Sequence, residues 1–228
     1  MIYDLMPFSV ADFPGNIAAT VFISGCNFVC PYCHNSSLIK PIKGTITEDD
    51  ILKYLGKREG LIDGVCITGG EPTLWPGLLD FIVKIKAKRF KVKLDTNGAR
   101  PSVVTELLYE GLLDYIAMDI KAPPQKYGLF VNSSGDISRV KESVGIIMDC
   151  GISYEFRTTV HEKLLSEDDF KEIGVWLSGA KRYALQGYKY SEGVLNKKLC
   201  GKSPCNIKFL KKIKDEVLPY FDEVLVRS

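Results

Sequence analysis

The chain has 228 residues, 46% of them hydrophobic, a formal charge of +2 and seven cysteines. A chain of this length buries about 70% of its unfolded surface around one core, so a single domain over residues 1–228 is expected. The near-balanced charge gives no support for a nucleic-acid partner, no apolar run approaches a bilayer span, and an odd, scattered set of cysteines without an apolar leader argues for a reducing cytoplasm rather than secretion with a disulfide framework.

In chain order, residues 18–24 read as a first buried strand that runs straight into a cysteine loop. Thr47, with Asp50 three residues on, opens a helix. A second strand over 64–68 ends in Gly69-Gly70-Glu71-Pro72, and residues 74–89 predict a helix. The third strand, 91–94, leads into Asp95-Thr96-Asn97-Gly98 and a helix from Pro101 to Gly111. Asp119 and Lys121 follow the fourth strand, 115–118, and a helix is expected over 136–150, closed by Gly151. Arg157 lies within the fifth strand, 154–159; Ser166 with Asp169 opens the next helix; Gln186 closes the sixth strand, 183–185; and Asn206 begins the last helix.

Six strands alternating with helices make βα units. Nearly every unusual polar group follows the C-terminal end of a strand. A barrel brings those ends to one face, where such folds carry their chemistry, whereas a flat sheet would spread them into a line. Six units fall short of a closed barrel's eight. The expected fold is therefore α/β, a partial (β/α)6 TIM-type barrel of parallel strands with a lateral gap wide enough for a large substrate.

The cysteine loop has the spacing C-x3-C-x2-C and supplies three thiolates, Cys26, Cys30 and Cys33. A four-iron cluster normally takes four, one per iron, so three leave one iron open to something that is not protein. Zinc is the alternative, with His34 completing a Cys3His set. Against it, His34 directly follows Cys33, neighbouring side chains seldom turn onto one tetrahedral ion, and no second pair of ligands lies nearby.

With Tyr32 before its third cysteine, the loop together with Gly69-Gly70-Glu71-Pro72 resembles the radical S-adenosylmethionine (SAM) superfamily. Asp12-Phe13-Pro14-Gly15, Asp95-Thr96-Asn97-Gly98, Asp119-Ile120-Lys121 and Phe156-Arg157-Thr158-Thr159-Val160 are similar to segments of the glycyl-radical enzyme activating proteins, and most similar to those serving anaerobic ribonucleoside-triphosphate reductase, relatives of pyruvate formate-lyase activating enzyme. The resemblance covers about residues 9–190 and leaves 191–228 without an assigned role.

The resemblance implies a 4Fe-4S cluster on Cys26, Cys30 and Cys33, with SAM chelating the open iron and cleaved by an electron from the cluster to a 5′-deoxyadenosyl radical. Gly69 and Gly70 would let backbone approach the methionine part, Glu71 would accept from its ammonium, and Tyr32 would lie against the adenine. His34 and Gln186 join the cofactor contacts. Asp95 and Asn97 would bind ribose hydroxyls, or Asp95 and Thr96 would hold a monovalent cation, unless the quartet is a plain turn. Arg157 would meet a carboxylate, or else pair internally with Asp119 or Glu155. Asp119 and Lys121 are expected near the cofactor and the incoming substrate as the catalytic pair, with an internal salt bridge as the rival.

No second cysteine-rich module follows. Cys200 and Cys205 read as loop cysteines, Cys66 and Cys150 as core thiols. Lys84, Lys86, Lys88, Arg89, Lys91 and Lys93 are expected on a solvated rim opposite the cluster, complementing a helix dipole. Lys189, Lys197, Lys198 and Lys202 follow the sixth strand on the chemical face, where an acidic electron donor such as flavodoxin or a ferredoxin would dock. The expected activity is hydrogen abstraction from a glycine Cα in a glycyl-radical enzyme, an anaerobic ribonucleotide reductase or a formate-lyase type partner. The rivals are a radical enzyme acting on a small molecule or RNA, for instance a deazapurine precursor, and a zinc-stabilised binding module without catalysis.

Overall fold

A computed structural model describes residues 1–131 and 137–227. Its centre is one eight-stranded sheet: β1 (Ile2–Ser9), β2 (Ala18–Ile23), β3 (Gly64–Gly69), β4 (Lys91–Thr96), β5 (Tyr115–Asp119), β6 (Ser153–Val160), β7 (Ala180–Gly187) and β8 (Phe221–Arg227), hydrogen-bonded in that order. β1 runs antiparallel to β2 and every later pair is parallel. The helices are α1 (Glu48–Gly56), α2 (Leu78–Ala87), α3 (Pro101–Tyr109), α4 (Ser138–Met148), α5 (Glu167–Trp176), a short α6 (Lys197–Cys200) and α7 (Ile207–Val217).

The six strands expected from the sequence are β2 to β7. Two more stand at the edges, so the sheet is larger than a six-stranded one. Both outer strands are half-wet: β1 buries only Ile2 and Ser9, and β8 only Phe221 and Val224. Their polar residues dilute the apolar run that marks a parallel strand buried on both faces. β8 gives part of the C-terminal segment a structural role, because Arg227 reaches back to the buried Glu155 with two bonds of 2.8 and 2.6 Å.

The sheet curls. Phe13, at the entry to β2, lies edge-on to Tyr115 of β5 with ring centres 6.1 Å apart, whereas three strand spacings in a flat sheet would separate them by about 14 Å. Phe13 is 2% exposed and, with Ala18, Tyr115 and Ala117, plugs the end of the barrel away from the cysteine loop.

Local signals place the helices. Thr47 with Asp50, and Ser166 with Asp169, form complete capping boxes, and the Asn206 side chain accepts from Lys208 N–H. The helix expected over 74–89 is interrupted by Pro76-Gly77. A 3-10 turn, Pro72–Leu74, comes first and α2 starts at Leu78. α4 falls within the span expected over 136–150; Asp136 lies outside the described residues.

One basic residue is not where a surface patch would put it. Lys84 and Lys86 pair with Glu48 and Asp114 at 2.5 and 2.7 Å on the outer face, but Lys93 is 1% exposed and points into the barrel. It shares the interior face of β4 with Asp95, two residues on, which supplies its counter-charge.

Candidate active site

The C-terminal ends of the strands surround a cleft of about 270 Å³. Cys26, Cys30 and Cys33 line it from the loop after β2, with Tyr32 and His34 beside them. Gly69 and Gly70 enter from β3, Asp95 and Asn97 from β4, Asp119 and Lys121 from β5, and Gln186 from β7. Among the sequence-predicted site residues, only Glu71 and Arg157 stand behind the wall instead of in it.

The cysteine loop is held from three directions. Gly25 and Cys26 donate backbone N–H groups to Leu38 and Ile39 carbonyls at 2.7 and 2.9 Å, and Val29 donates to Phe130 at 3.0 Å. From the far side, the segment after β7 crosses the loop: Leu195 N–H reaches the Cys33 carbonyl at 3.1 Å, Asn196 N–H the Pro31 carbonyl at 2.9 Å, and Ser36 Oγ the Gly193 carbonyl at 2.6 Å. A Cβ on Gly193 would lie 2.1 Å from the His34 carbonyl, so glycine is required for this approach. Nothing in the residue pattern announced this strap.

Gly69 and Gly70, which line the cleft, are also packed tightly against the protein. Side chains there would meet protein: a Cβ on Gly69 would lie 2.4 Å from the Ile23 carbonyl and one on Gly70 2.3 Å from that of Gly25. Gly69 also has φ +117°, outside the comfortable range of other residues. The glycine pair seats the end of β3 against the root of the cysteine loop.

Glu71 differs most from expectation. It is fully buried, and its carboxylate takes Thr73 N–H and Oγ1 at 3.1 and 2.5 Å, Thr96 Oγ1 at 2.7 Å and Asn97 N–H at 2.6 Å. It stitches the turns after β3 and β4 together and, fully buried, does not line the cleft. Thr96 spends its hydroxyl on Glu71, facing away from Asp95, so the two side chains do not converge on one cation. Asn97 Nδ2 donates to Asn27 Oδ1 at 2.9 Å, tying the same turn to the cysteine loop.

Arg157 makes the internal pair, with Asp95 as its second partner. Its Nη1 reaches Asp95 Oδ2 at 3.1 Å and its Nε Asp119 Oδ1 at 2.8 Å, while Asp119 Oδ2 takes Lys121 Nζ at 3.0 Å. Burial pushes the Asp119 carboxyl up, but Arg157 and Lys121 more than reverse this and hold it well below the usual carboxylate range. Burial likewise works against the Lys121 ammonium, and Asp119 keeps it charged. With Lys93 on Asp95, three cations face two carboxylates, and Lys121 carries the surplus positive charge at the cysteines.

The donor set fits a polynuclear cluster. Burial raises all three loop thiols, Cys30 up to about 12, with Lys121 opposing the rise at each; metal binding must therefore displace their protons. Among the described residues no three His, Cys, Asp or Glu side chains close around a single ion, as zinc would require. His34 is turned aside: its Nε2 lies 2.5 Å from the Lys189 carbonyl, which can only accept, so Nε2 holds the proton. Tyr32 also lines the cleft, and its hydroxyl is buried with no hydrogen-bond partner among the described residues. Cys200 and Cys205 lie apart in a small pocket beside His161 and Tyr188.

Comparison with known proteins agrees with this chemistry. The radical SAM superfamily matches residues 20–174. A Methanocaldococcus jannaschii protein, named provisionally as a glycyl-radical enzyme activating enzyme, is 32% identical over 237 aligned positions spanning 100% of this chain and 96% of its own length. A 7-carboxy-7-deazaguanine synthase of Methanopyrus kandleri is 30% identical over 132 positions, 49% of this chain and 52% of that protein. Streptococcus suis SuiB, solved with its precursor peptide SuiA and separately with SAM, superposes with a TM-score of 0.72 at 14% identity in the peptide complex, which shares the fold over 91% of this chain and 48% of that one. That superfamily uses a 4Fe-4S cluster and SAM, and with a match across more than half its length this chain belongs to it, as a radical SAM enzyme.

Proposed function

We propose that the chain activates a partner protein by taking a hydrogen atom from a glycine Cα. The full-length likeness to the M. jannaschii protein carries this reading, because it extends through the segment after β7 and not only through the shared superfamily core. Cys26, Cys30 and Cys33 would hold the cluster. Together the cluster and SAM, when bound, supply the 5′-deoxyadenosyl radical that abstracts the hydrogen.

The protein's part is to bind, aim and exclude. Lys121, held by Asp119 at 3.0 Å, brings positive charge to the cleft wall, suited to a carboxylate. Tyr32, in the cleft wall beside the cysteines, would lie against an adenosine group, and Asn97, fixed to Glu71 and Asn27, holds the floor rigid. The unjoined edges β1 and β8 leave a side through which a partner's loop can enter. The glycine C–H bond breaks homolytically, and its radical is delocalised over the flanking amide nitrogen and carbonyl. An acidic electron donor of the flavodoxin or ferredoxin kind would meet Lys189, Lys197, Lys198 and Lys202 beyond β7, Lys197 being paired with Glu192 at 2.7 Å.

The test is to mix the reduced, cluster-loaded protein and SAM with candidate glycyl-radical reductases and lyases and record electron paramagnetic resonance. A doublet that collapses when glycine is deuterated at Cα supports the reading. The deazaguanine synthase match over about half the chain favours one rival, a small-molecule radical enzyme. It becomes the better account if no protein radical appears with any partner while a small molecule accelerates SAM cleavage.

A further inference from the structure

The segment after β7 has two faces, and only the inner one is spent on the cysteine loop. Residues 188–205 form a loop closed at its neck, where Cys205 N–H meets the Tyr188 carbonyl at 2.9 Å. The Tyr188 hydroxyl donates to the Gly201 carbonyl at 3.0 Å, and its ring centre lies 4.4 Å from that of the buried His161, so the foot of the loop is fixed. None of residues 190–205 lines the reaction cleft.

The outer face is both charged and apolar. Residues 188–205 hold four lysines against one glutamate, in a chain whose whole formal charge is +2. Glu192 is taken by Lys197 at 2.7 Å. Lys189, Lys198 and Lys202 are exposed and have no carboxylate partner among the described residues. Nor has Lys163, whose Nζ would lie 3.2 Å from a Cβ on Gly201 at the foot of the loop. Interleaved with these cations along the chain, Leu195 and Leu199 are 42% and 41% exposed. Charges of one sign steer an oppositely charged partner in, and an apolar pair gives it something to rest on.

The inner face supplies the direction. Leu195 N–H donates to the Cys33 carbonyl at 3.1 Å. Leu195 therefore shows its side chain to solvent while its backbone is joined to one of the three residues that would hold the cluster. Electron tunnelling falls off steeply with distance, and more slowly through bonds than across empty gaps. From Leu195 to Cys33 the route crosses a single hydrogen bond.

We infer that the outer face of this loop, centred on Leu195 and Leu199 and rimmed by Lys163, Lys198 and Lys202, is the docking surface for a small acidic one-electron carrier protein, which reduces the cluster through Leu195 and Cys33 from outside the cleft. The carrier loses one electron and the cluster gains it; no bond forms or breaks on either protein. The inference rests on the proposed acidic donor and adds its place and its route.

The test is stopped-flow absorbance of the cluster-loaded protein mixed with reduced flavodoxin and, separately, with photoreduced deazariboflavin, which is uncharged. Lys198→Glu/Lys202→Glu should slow reduction by flavodoxin about tenfold at low ionic strength, with the difference shrinking as salt screens the charges. Reduction by deazariboflavin should stay at the wild-type rate, and Lys53→Glu/Lys57→Glu on α1 should alter neither. Binding of labelled flavodoxin to the metal-free protein, followed by NMR shifts, should weaken in parallel. Equal flavodoxin rates in wild type and Lys198→Glu/Lys202→Glu would overturn the inference. So would equal slowing with deazariboflavin, or equal slowing by the α1 reversals. If the double variant fails to hold its cluster, Lys202→Glu alone decides, with about threefold slowing in support and none in refutation. Flavodoxin that reduces the wild type but ignores the reversals refutes this surface and leaves the acidic donor standing. Flavodoxin inert toward the wild type at every salt concentration, with deazariboflavin effective, refutes both. Neither result touches the glycyl-radical reading, which is judged by the protein radical.

Discussion

Glu71 and Asn97 are joined where two strands end, the Asn97 backbone N–H donating to Glu71 Oε2 at 2.6 Å. Since Thr73 and Thr96 fill the other oxygen, the carboxylate works as an internal knot. Glu71→Gln, nearly the same shape, replaces one acceptor by an NH2 facing donors. It should lower stability by about 1–3 kcal/mol, and Glu71→Ala by at least as much. Urea unfolding of the metal-free protein measures both. A Glu71→Gln protein as stable as wild type, with SAM affinity lost, would restore the direct ligand role.

The three loop cysteines should be individually indispensable for iron, because each would serve a different iron and the cleft offers no substitute thiol. Anaerobic reconstitution of Cys26→Ser, Cys30→Ser and Cys33→Ser should give little bound iron, whereas Cys200→Ser and Cys205→Ser should load about four irons, as wild type does. Loss of half the iron in Cys200→Ser would instead place a second centre at the far pocket.

Tyr32→Phe separates structure from binding. The hydroxyl has no partner among the described residues, so its removal should leave the melting temperature of the SAM-free protein unchanged or slightly raised. If the hydroxyl is meant for the cofactor, SAM affinity should fall about three- to tenfold. A drop in melting temperature with unaltered affinity would make Tyr32 a core residue only.

Acid should expose the α5 cap. Burial raises the Asp169 carboxyl, but Lys126 at 2.7 Å and the Ser166 N–H and hydroxyl at 2.7 and 2.9 Å outweigh it and hold the group below its ordinary value. A depressed carboxyl contributes stability above its unfolded value of about 3.9, and that contribution fades as pH falls through the folded one. Wild type should therefore exceed Asp169→Asn by about 1 kcal/mol near pH 7, with the gap closing below about pH 4. A gap that stays constant down to acid denaturation would show that charge plays no part.

Much of this was legible in the residues because it is local. The C-x3-C-x2-C spacing, the capping pairs at Thr47 and Ser166, and Asp119 with Lys121 two positions beyond it at the end of β5 all reach their partners within a few positions. What was hidden depends on contacts between distant segments. The chain does not display that donors from Thr73, Thr96 and Asn97 converge on Glu71, that Arg157 spans Asp95 and Asp119, or that the Gly193 segment crosses the cysteine loop. Lys93 was misread because its neighbours are solvated lysines, and only strand parity and Asp95 show that it turns inward. The edge strands escaped because half of each meets water.

The most direct measurement follows the abstracted hydrogen itself. Reduced, cluster-loaded protein is incubated with unlabelled SAM and a candidate glycyl-radical partner carrying glycine deuterated at Cα, and the 5′-deoxyadenosine is collected for mass spectrometry. The account predicts that deuterium appears in the 5′-deoxyadenosine, about one atom per partner radical formed, and that Cys30→Ser yields neither label nor 5′-deoxyadenosine. Unlabelled 5′-deoxyadenosine with every such partner, its yield raised instead by a small molecule or an RNA, would contradict it.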